Sequence, residues 1–159
     1  MEKLLRLLGY RGLESNAELA RECGLTEQEV EEKIAQWIKE GVILGQPCII
    51  NREKVDDAGV RALIEVEVTP ERGGGFDRIA ERISRFDQVS SCALFSGRYD
   101  LIVEVVGKSL TDVASFVSGK LSTMDGVIST RSHFQLKVYK RSGILFEKEE
   151  ETRRLPVAP

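Results

Sequence analysis

ELARECGLTEQEVEEKIAQWIKEGVI, residues 18–43, decides how the first third of the chain folds. Its apolar residues recur at helical spacing: Val30, Ile34, Trp37 and Ile38 stand at i, i+4, i+7 and i+8 and predict one buried face. Thr26 opens T-E-Q-E, a capping box in which the hydroxyl accepts a backbone N–H and the Glu29 carboxylate reaches back. Ser15 opens S-N-A-E with Glu18 in the same role, and Gly24 and Gly41 stop the two helices that follow these caps. Leu4, Leu5 and Leu8 predict an earlier short helix ending near Gly9 and Gly12. Three helices with the turn Gly24-Leu25-Thr26 between the second and third match the helix-turn-helix plan. VILGQPCII, residues 42–50, reads as a short β segment or wing turning near Gly45–Pro47, and residues 51–59 as a charged linker.

From Val60 the periodicity changes to two. Ala62, Ile64, Val66 and Val68 fall on one strand face and Arg61, Leu63, Glu65 and Glu67 on the other. After Gly73–Gly75, which read as a flexible connection rather than a phosphate cradle, Phe76, Ile79, Ala80, Ile83 and Phe86 line one side of a helix. Val89–Phe95 and Tyr99–Val106 read as strands joined by Ser96-Gly97-Arg98. Ser109 caps a second helix with Leu110, Val113, Val117, Leu121 and Met124 inward, and Val127–Tyr139 closes as a long strand. The order β-α-β-β-α-β is the split βαβ plan. An α+β chain follows: a three-helix winged helix-turn-helix domain over residues 1–50, a linker over 51–59, a ferredoxin-like domain over 60–140, and a fraying tail over 141–159.

Bulk properties narrow the function. A chain of 159 residues with 42% hydrophobic and 31% charged residues has the composition of a globular protein. The longest apolar runs are too short for a bilayer span, and Glu2, Lys3 and Arg6 interrupt the first apolar stretch, so no membrane partner and a cytoplasmic location are the default expectations. Cys23, Cys48 and Cys92 lack metal-ligand spacing and read as small buried hydrophobes. With His133 as the single histidine, a zinc site or a nucleophilic triad lacks parts.

Two helices cover one face of a four-stranded sheet. The other face mixes Leu63, Ile102, Val106 and Val127 with Arg61, Glu65, Glu104, Arg131 and His133, too apolar merely to be wetted. A symmetric dimer is its natural use.

In their order, ELARECGLTEQEVEEKIAQWIKEGVI, VSSCALFSGRYDLIVEVVG and GVISTRSHFQLKVYK give residues 2–140 a resemblance to the Lrp/AsnC family. The resemblance implies a regulator of transcription that binds double-stranded DNA, forms homodimers and commonly octamers, and takes an amino acid or related small molecule between subunits. It implies no metal and no redox cofactor. The positions matching the DNA-contact surface are Thr26, Glu27, Gln28, Glu31, Glu32, Lys33 and Gln36. Gly97, Tyr99 and Asp100 match the hairpin motif of the effector domain, and Ser129 and Thr130 its ligand-side position on the last strand. Two readings stand for each hairpin residue: Gly97 also suits a turn needing positive φ, and Tyr99 and Asp100 also suit a purely structural role. Sirohaem decarboxylases share the two-part plan, but their histidine chemistry has only His133 to draw on, and no enzyme is expected.

The third helix poses the remaining question. Glu27 and Glu29 suit a first helical turn, whereas Glu31 and Glu32 stand where the family is often basic or small. A carboxylate beside phosphate lowers affinity, although glutamate does accept from cytosine N4 in the major groove. Phosphate partners then fall to Arg11, Arg21 and Lys33, with Arg52 and Lys54 beyond, and to avidity across an oligomer. The competing reading is a sensing oligomer whose acidic helix serves protein interaction instead of DNA.

Overall fold

A computed structural model describes residues 3–10, 14–56, 59–70 and 75–146. The chain divides into two compact units. One holds the segment up to Asn51 together with the segment from Tyr139 on; the other spans Arg52–Val138.

The first unit contains α1 (Lys3–Tyr10), α2 (Asn16–Cys23) and α3 (Glu27–Lys39). Leu4, Leu19, Ala20 and Val30 form its core, with Leu7, Leu8, Cys23, Leu25, Ile34 and Trp37 packed around them. Burying each large aliphatic side chain contributes about 1.5–3 kcal/mol, which a unit this small needs. Both capping boxes form: Ser15 with Glu18, and Thr26 with Glu29. Gly24 ends α2 at φ 70°, a conformation glycine adopts without strain, and its N–H returns to Ala20 O. Ile38, expected inside, is 57% exposed. It lies about 80° around the helix from Val30, at the margin of the apolar stripe.

The predicted β segment over 42–50 does not form. The Val42 and Ile43 amides both return to Trp37 O, at 2.8 and 3.2 Å, and residues 43–50 hold no strand. Pro47 offers no N–H to a ladder and Gly45 no side chain to pack. The β structure of this unit comes from the other end of the sequence. Residues 141–146, expected to fray, take part in a hairpin: β5 (Lys140–Arg141) pairs antiparallel with β6 (Ile144–Leu145). Ser142 at φ 46° and Gly143 at φ 84° give the two left-handed residues of a type I′ turn. The Phe146 amide closes the hairpin on Tyr139 O at 3.0 Å. The rest of the expected tail, 147–159, lies outside the described residues.

The second unit runs β1 (Val60–Val68), α4 (Asp77–Ser84), β2 (Val89–Leu94), β3 (Leu101–Gly107), α5 (Leu110–Phe116, prolonged by a π-helical turn Val117–Leu121) and β4 (Val127–Phe134). The antiparallel sheet has the order β2-β3-β1-β4. Ala62, Ile64, Val66 and Val68 on β1 and Leu101, Val103 and Val105 on β3 meet Ile79, Ile83, Val113, Phe116, Val117 and Leu121 from the helices. Phe86 and Phe116 meet edge to face with centroids 5.3 Å apart, tying the end of α4 to α5.

Three local expectations change. Leu110, in the first turn of α5, is 56% exposed, and Phe116 takes the inward place instead. β4 ends at Phe134 rather than Tyr139, although Gln135 N still donates to Arg61 O. Val127 faces the helices, not the open side, because the β1–β4 register shifts between Glu67 and Val68 and Ile128 becomes the extra residue. One inserted residue reverses the face of everything beyond it. Gly73 and Gly74 lie outside the described residues.

Candidate functional site

Two surfaces hold the residues singled out in the sequence. On α3, Glu27, Gln28, Glu31, Glu32 and Gln36 are all exposed. Gln28 donates to Glu32 Oε1 at 2.9 Å, and Gln36 donates to Glu40 Oε1 at 2.7 Å, each one helical turn on. Two of the glutamates thus have an amide donor beside them, which preorganises the side chains without neutralising their charge. Lys33 is half-buried, with its ammonium 6.0 Å from the Trp37 ring centroid.

Thr26 is committed to the fold. Its hydroxyl donates to Glu29 Oε2 at 2.8 Å and accepts the Glu29 N–H at 3.2 Å. Hydrogen bonds from the Thr26 amide and hydroxyl hold the Glu29 carboxyl below its ordinary pKa, and the Ser15 amide and hydroxyl do the same for Glu18. Arg21 is exposed on α2, with Nε donating to Ala17 O at 3.3 Å. Arg11 lies outside the described residues.

The effector candidates do not all converge. Asp100 closes the β2–β3 connection: Phe95 N donates to its carbonyl at 2.8 Å, its own N–H donates to Val66 O at 3.2 Å, and Oδ2 accepts Val68 N–H at 2.9 Å. It therefore pins the hairpin to the end of β1. Tyr99 is half-buried beside it, and Gly97 is exposed at φ 155° with nothing within 4 Å of where a Cβ would stand. The backbone conformation, not close packing, accounts for glycine at that position.

Ser129 and Thr130 lie on opposite faces of β4. Ser129 Oγ donates to Glu67 Oε2 at 2.6 Å on the open face, whereas the Thr130 hydroxyl pairs with Ser122 Oγ at 2.8 Å on the helix side. A single ligand on one face therefore meets one of them directly. Glu67 and Ser122 escaped the sequence reading because only the strand register, which sets Glu67 opposite Ser129, brings them in.

The open face of the sheet carries paired charges. Arg61 Nη1 meets Glu104 Oε1 at 2.9 Å, and Ser90 Oγ donates to Glu104 Oε2 at 3.2 Å. Glu65 meets His133 Nε2 at 3.1 Å and Arg131 Nη1 at 3.5 Å. Arg61 Nε is buried without a hydrogen-bond partner. Leu63, 40% exposed, and the half-buried Ile102 and Val106 fill the space between.

The cysteines divide. Cys23 and Cys92 are half-buried, and burial pushes the Cys92 thiol up, while Cys48 is exposed, against expectation. It lies in the irregular segment after α3 that buries little of its length. Among the described residues no cluster of His, Cys, Asp and Glu is suited to a metal ion, and no helix is long and apolar enough to cross a membrane.

Comparison with known proteins agrees with this two-part design. Residues 61–145 match the model of the Lrp/AsnC ligand-binding domain. The uncharacterized HTH-type transcriptional regulator YugG of Bacillus subtilis is 45% identical over 158 residues, 99% of this chain and 95% of that protein. The leucine-responsive regulatory protein of Haemophilus influenzae is 24% identical over 143 residues, 90% of this chain and 86% of that protein. A transcriptional regulator from Neisseria meningitidis, solved as an L-Met complex, superposes with a TM-score of 0.65 at 23% identity, covering 87% of this chain and 89% of that one. A helical unit with a capped helix-turn-helix, a βαββαβ sheet unit and a family match over more than half of the sequence lead to one assignment: this chain belongs to the Lrp/AsnC family.

Proposed function

We propose that the protein is a sequence-specific DNA-binding regulator of transcription, controlled by an amino acid or related small molecule bound at a subunit interface. The observation that carries this reading is α3: a helix-turn-helix second helix, anchored through Val30, whose opposite side exposes Gln28, Glu31, Glu32 and Gln36. In that motif the second helix enters the major groove while the first crosses the backbone. The amides of Gln28 and Gln36 suit adenine, and a glutamate such as Glu32 suits cytosine N4. Thr26, Glu27 and Lys33 flank this surface, Thr26 chiefly as the cap that sets the angle of the helix. Arg21, and Arg11 before it, supply phosphate contacts.

The sensor half rests on the connection held by Asp100, on Gly97 and Tyr99, and on Ser129 and Thr130 along β4. The Neisseria relative was solved with L-Met, and an amino acid's ammonium and carboxylate suit paired polar groups such as Glu67 and Ser129. Binding between subunits places the open sheet face in a homodimer, which can assemble further to an octamer.

Electrophoretic and fluorescence titrations on the DNA upstream of the protein's own coding sequence, over a salt series, test the reading. Binding that weakens with salt and exceeds binding to unrelated duplex is expected, and Glu32→Lys should tighten the sequence-independent part. A protein that binds no duplex even at low salt overturns it. The second reading, an effector-sensing oligomer whose α3 docks a protein, is favoured by the exposed Glu27, Glu31, Glu32 and Glu40 on one helix. A sequence-specific footprint removes it.

A further inference from the structure

Residues 1–51 carry nine glutamates against six lysines and arginines. Affinity for a polyanion depends on neutralised phosphates, so a DNA head built from that segment alone starts with the wrong sign of charge. The helical unit, however, also takes in the segment from Tyr139 on, whose first residues end the stretch that matches the ligand-binding-domain model. Among the described residues that segment, 139–146, adds Lys140 and Arg141; Glu147, Glu149, Glu150 and Glu151 come only after it in the sequence.

The geometry of this addition is specific. β5 and β6 are joined by the two-residue turn Ser142-Gly143, both at positive φ, and Phe146 N closes the hairpin on Tyr139 O. The turn is seated on the last residue of α1: a Cβ built on Gly143 would lie 3.8 Å from Tyr10 Cδ1. Ser15, the cap of α2, follows Tyr10 by five residues, at most about 18 Å of chain. In a docked helix-turn-helix, α2 is the helix that crosses the phosphate backbone. The hairpin thus meets the head on α1, the helix that precedes α2 in the chain. Adjacent strand residues point to opposite sides, and here Lys140 is exposed while Arg141 is half-buried.

We infer that the 140–145 hairpin is the wing of the DNA head, with Lys140 as its principal phosphate contact and Arg141 as a second. The wing expected over 42–50 is replaced by one contributed from the end of the sheet domain's sequence, and its charge offsets the acidic α3. This inference rests on the DNA-binding reading above.

Salt-dependent binding of the full chain to a mixed-sequence duplex and to its own upstream DNA decides the matter. Each lost phosphate contact lowers the slope of log K against log salt by about 0.9. Lys140→Gln should lower it by about one per bound protomer. Lys140→Gln/Arg141→Gln should lower it by about one to two, with the ratio of specific to unrelated binding preserved. A circular-dichroism melt matching the parent excludes unfolding, and Arg141→Lys, which keeps the charge, should keep the parent's slope. Wild-type binding with an unchanged slope in both glutamine variants overturns the wing and leaves the DNA-binding reading standing. Absence of wild-type binding at low salt overturns both.

Discussion

Asp100 holds Val68: its Oδ2 accepts the Val68 N–H at 2.9 Å, while its own N–H donates to Val66 O at 3.2 Å. One residue thus bonds twice to the end of β1, across the gap to the β2–β3 connection. Removing the carboxylate leaves a partly buried N–H without its acceptor, which costs about 1–3 kcal/mol. Asp100→Ala should lower stability to chemical denaturation by that amount, and Asp100→Asn, which keeps an acceptor oxygen, by less. If both variants unfold like the parent, the pin is not a stability element and the ligand role gains.

Gly59 admits nothing larger. At φ 68°, a Cβ there would stand 2.6 Å from Gly107 O, on the strand that pairs with the start of β1. Left-handed strain and a backbone clash add up to about 1–3 kcal/mol in Gly59→Ala. Thermal melts should show this loss, and hydrogen exchange should show the Val60–Gly107 end of the sheet opening first. Equal protection in the variant contradicts the clash.

The capping boxes predict acid sensitivity. Glu18 and Glu29 both have carboxyls lowered below their ordinary pKa, first by the N–H and then by the hydroxyl of the capping residue. A group lowered on folding contributes stability that is present above its unfolded pKa and lost as pH falls through the folded value. The helical unit should therefore weaken below the ordinary carboxylate range, and Glu29→Gln should flatten that dependence. Thr26→Ala removes the cap at any pH, at a cost of about 1 kcal/mol. Melting temperatures measured from neutral to acid pH check both; a Glu29→Gln profile parallel to the parent's rules the mechanism out.

Much of this was legible without coordinates, for reasons that can be named. The capping boxes at Ser15 and Thr26 are local, so four consecutive residues suffice to read them. The alternation of Ala62, Ile64, Val66 and Val68 is undisturbed, and all four are buried. What escaped depends on distant partners. The extra residue at Ile128 turns Val127 inward, and nothing in the strand's own sequence announces it; that Ser129 and Thr130 face opposite ways is plain strand alternation. The hairpin at 140–145 was hidden by its neighbours: Ser142-Gly143 is a fair turn signal, but the charge runs from Phe146 on made everything after 140 read as tail. Its place in the helical unit depends on packing, not composition.

The open sheet face supplies the last prediction. Most of its charges are matched within the chain, Arg61 with Glu104 and Glu65 with His133 and Arg131, while Glu67 is bonded to the neutral Ser129 hydroxyl. Between those pairs, Leu63 remains 40% exposed at the centre of the sheet, on the strand flanked by β3 and β4. An arginine there adds a further charge at the centre of the face and puts it opposite its own symmetry mate's face. On the proposed dimer, the parent should sediment as a dimer and Leu63→Arg as a monomer at the same concentration, while the variant's circular dichroism stays the same, because the side chain points away from the core formed by Ala62 and Ile64. Dimers in the variant at the parent's affinity place the interface elsewhere. Loss of DNA affinity in parallel with monomerisation is also expected, since two half-site contacts in one dimer multiply weak binding by their effective concentration.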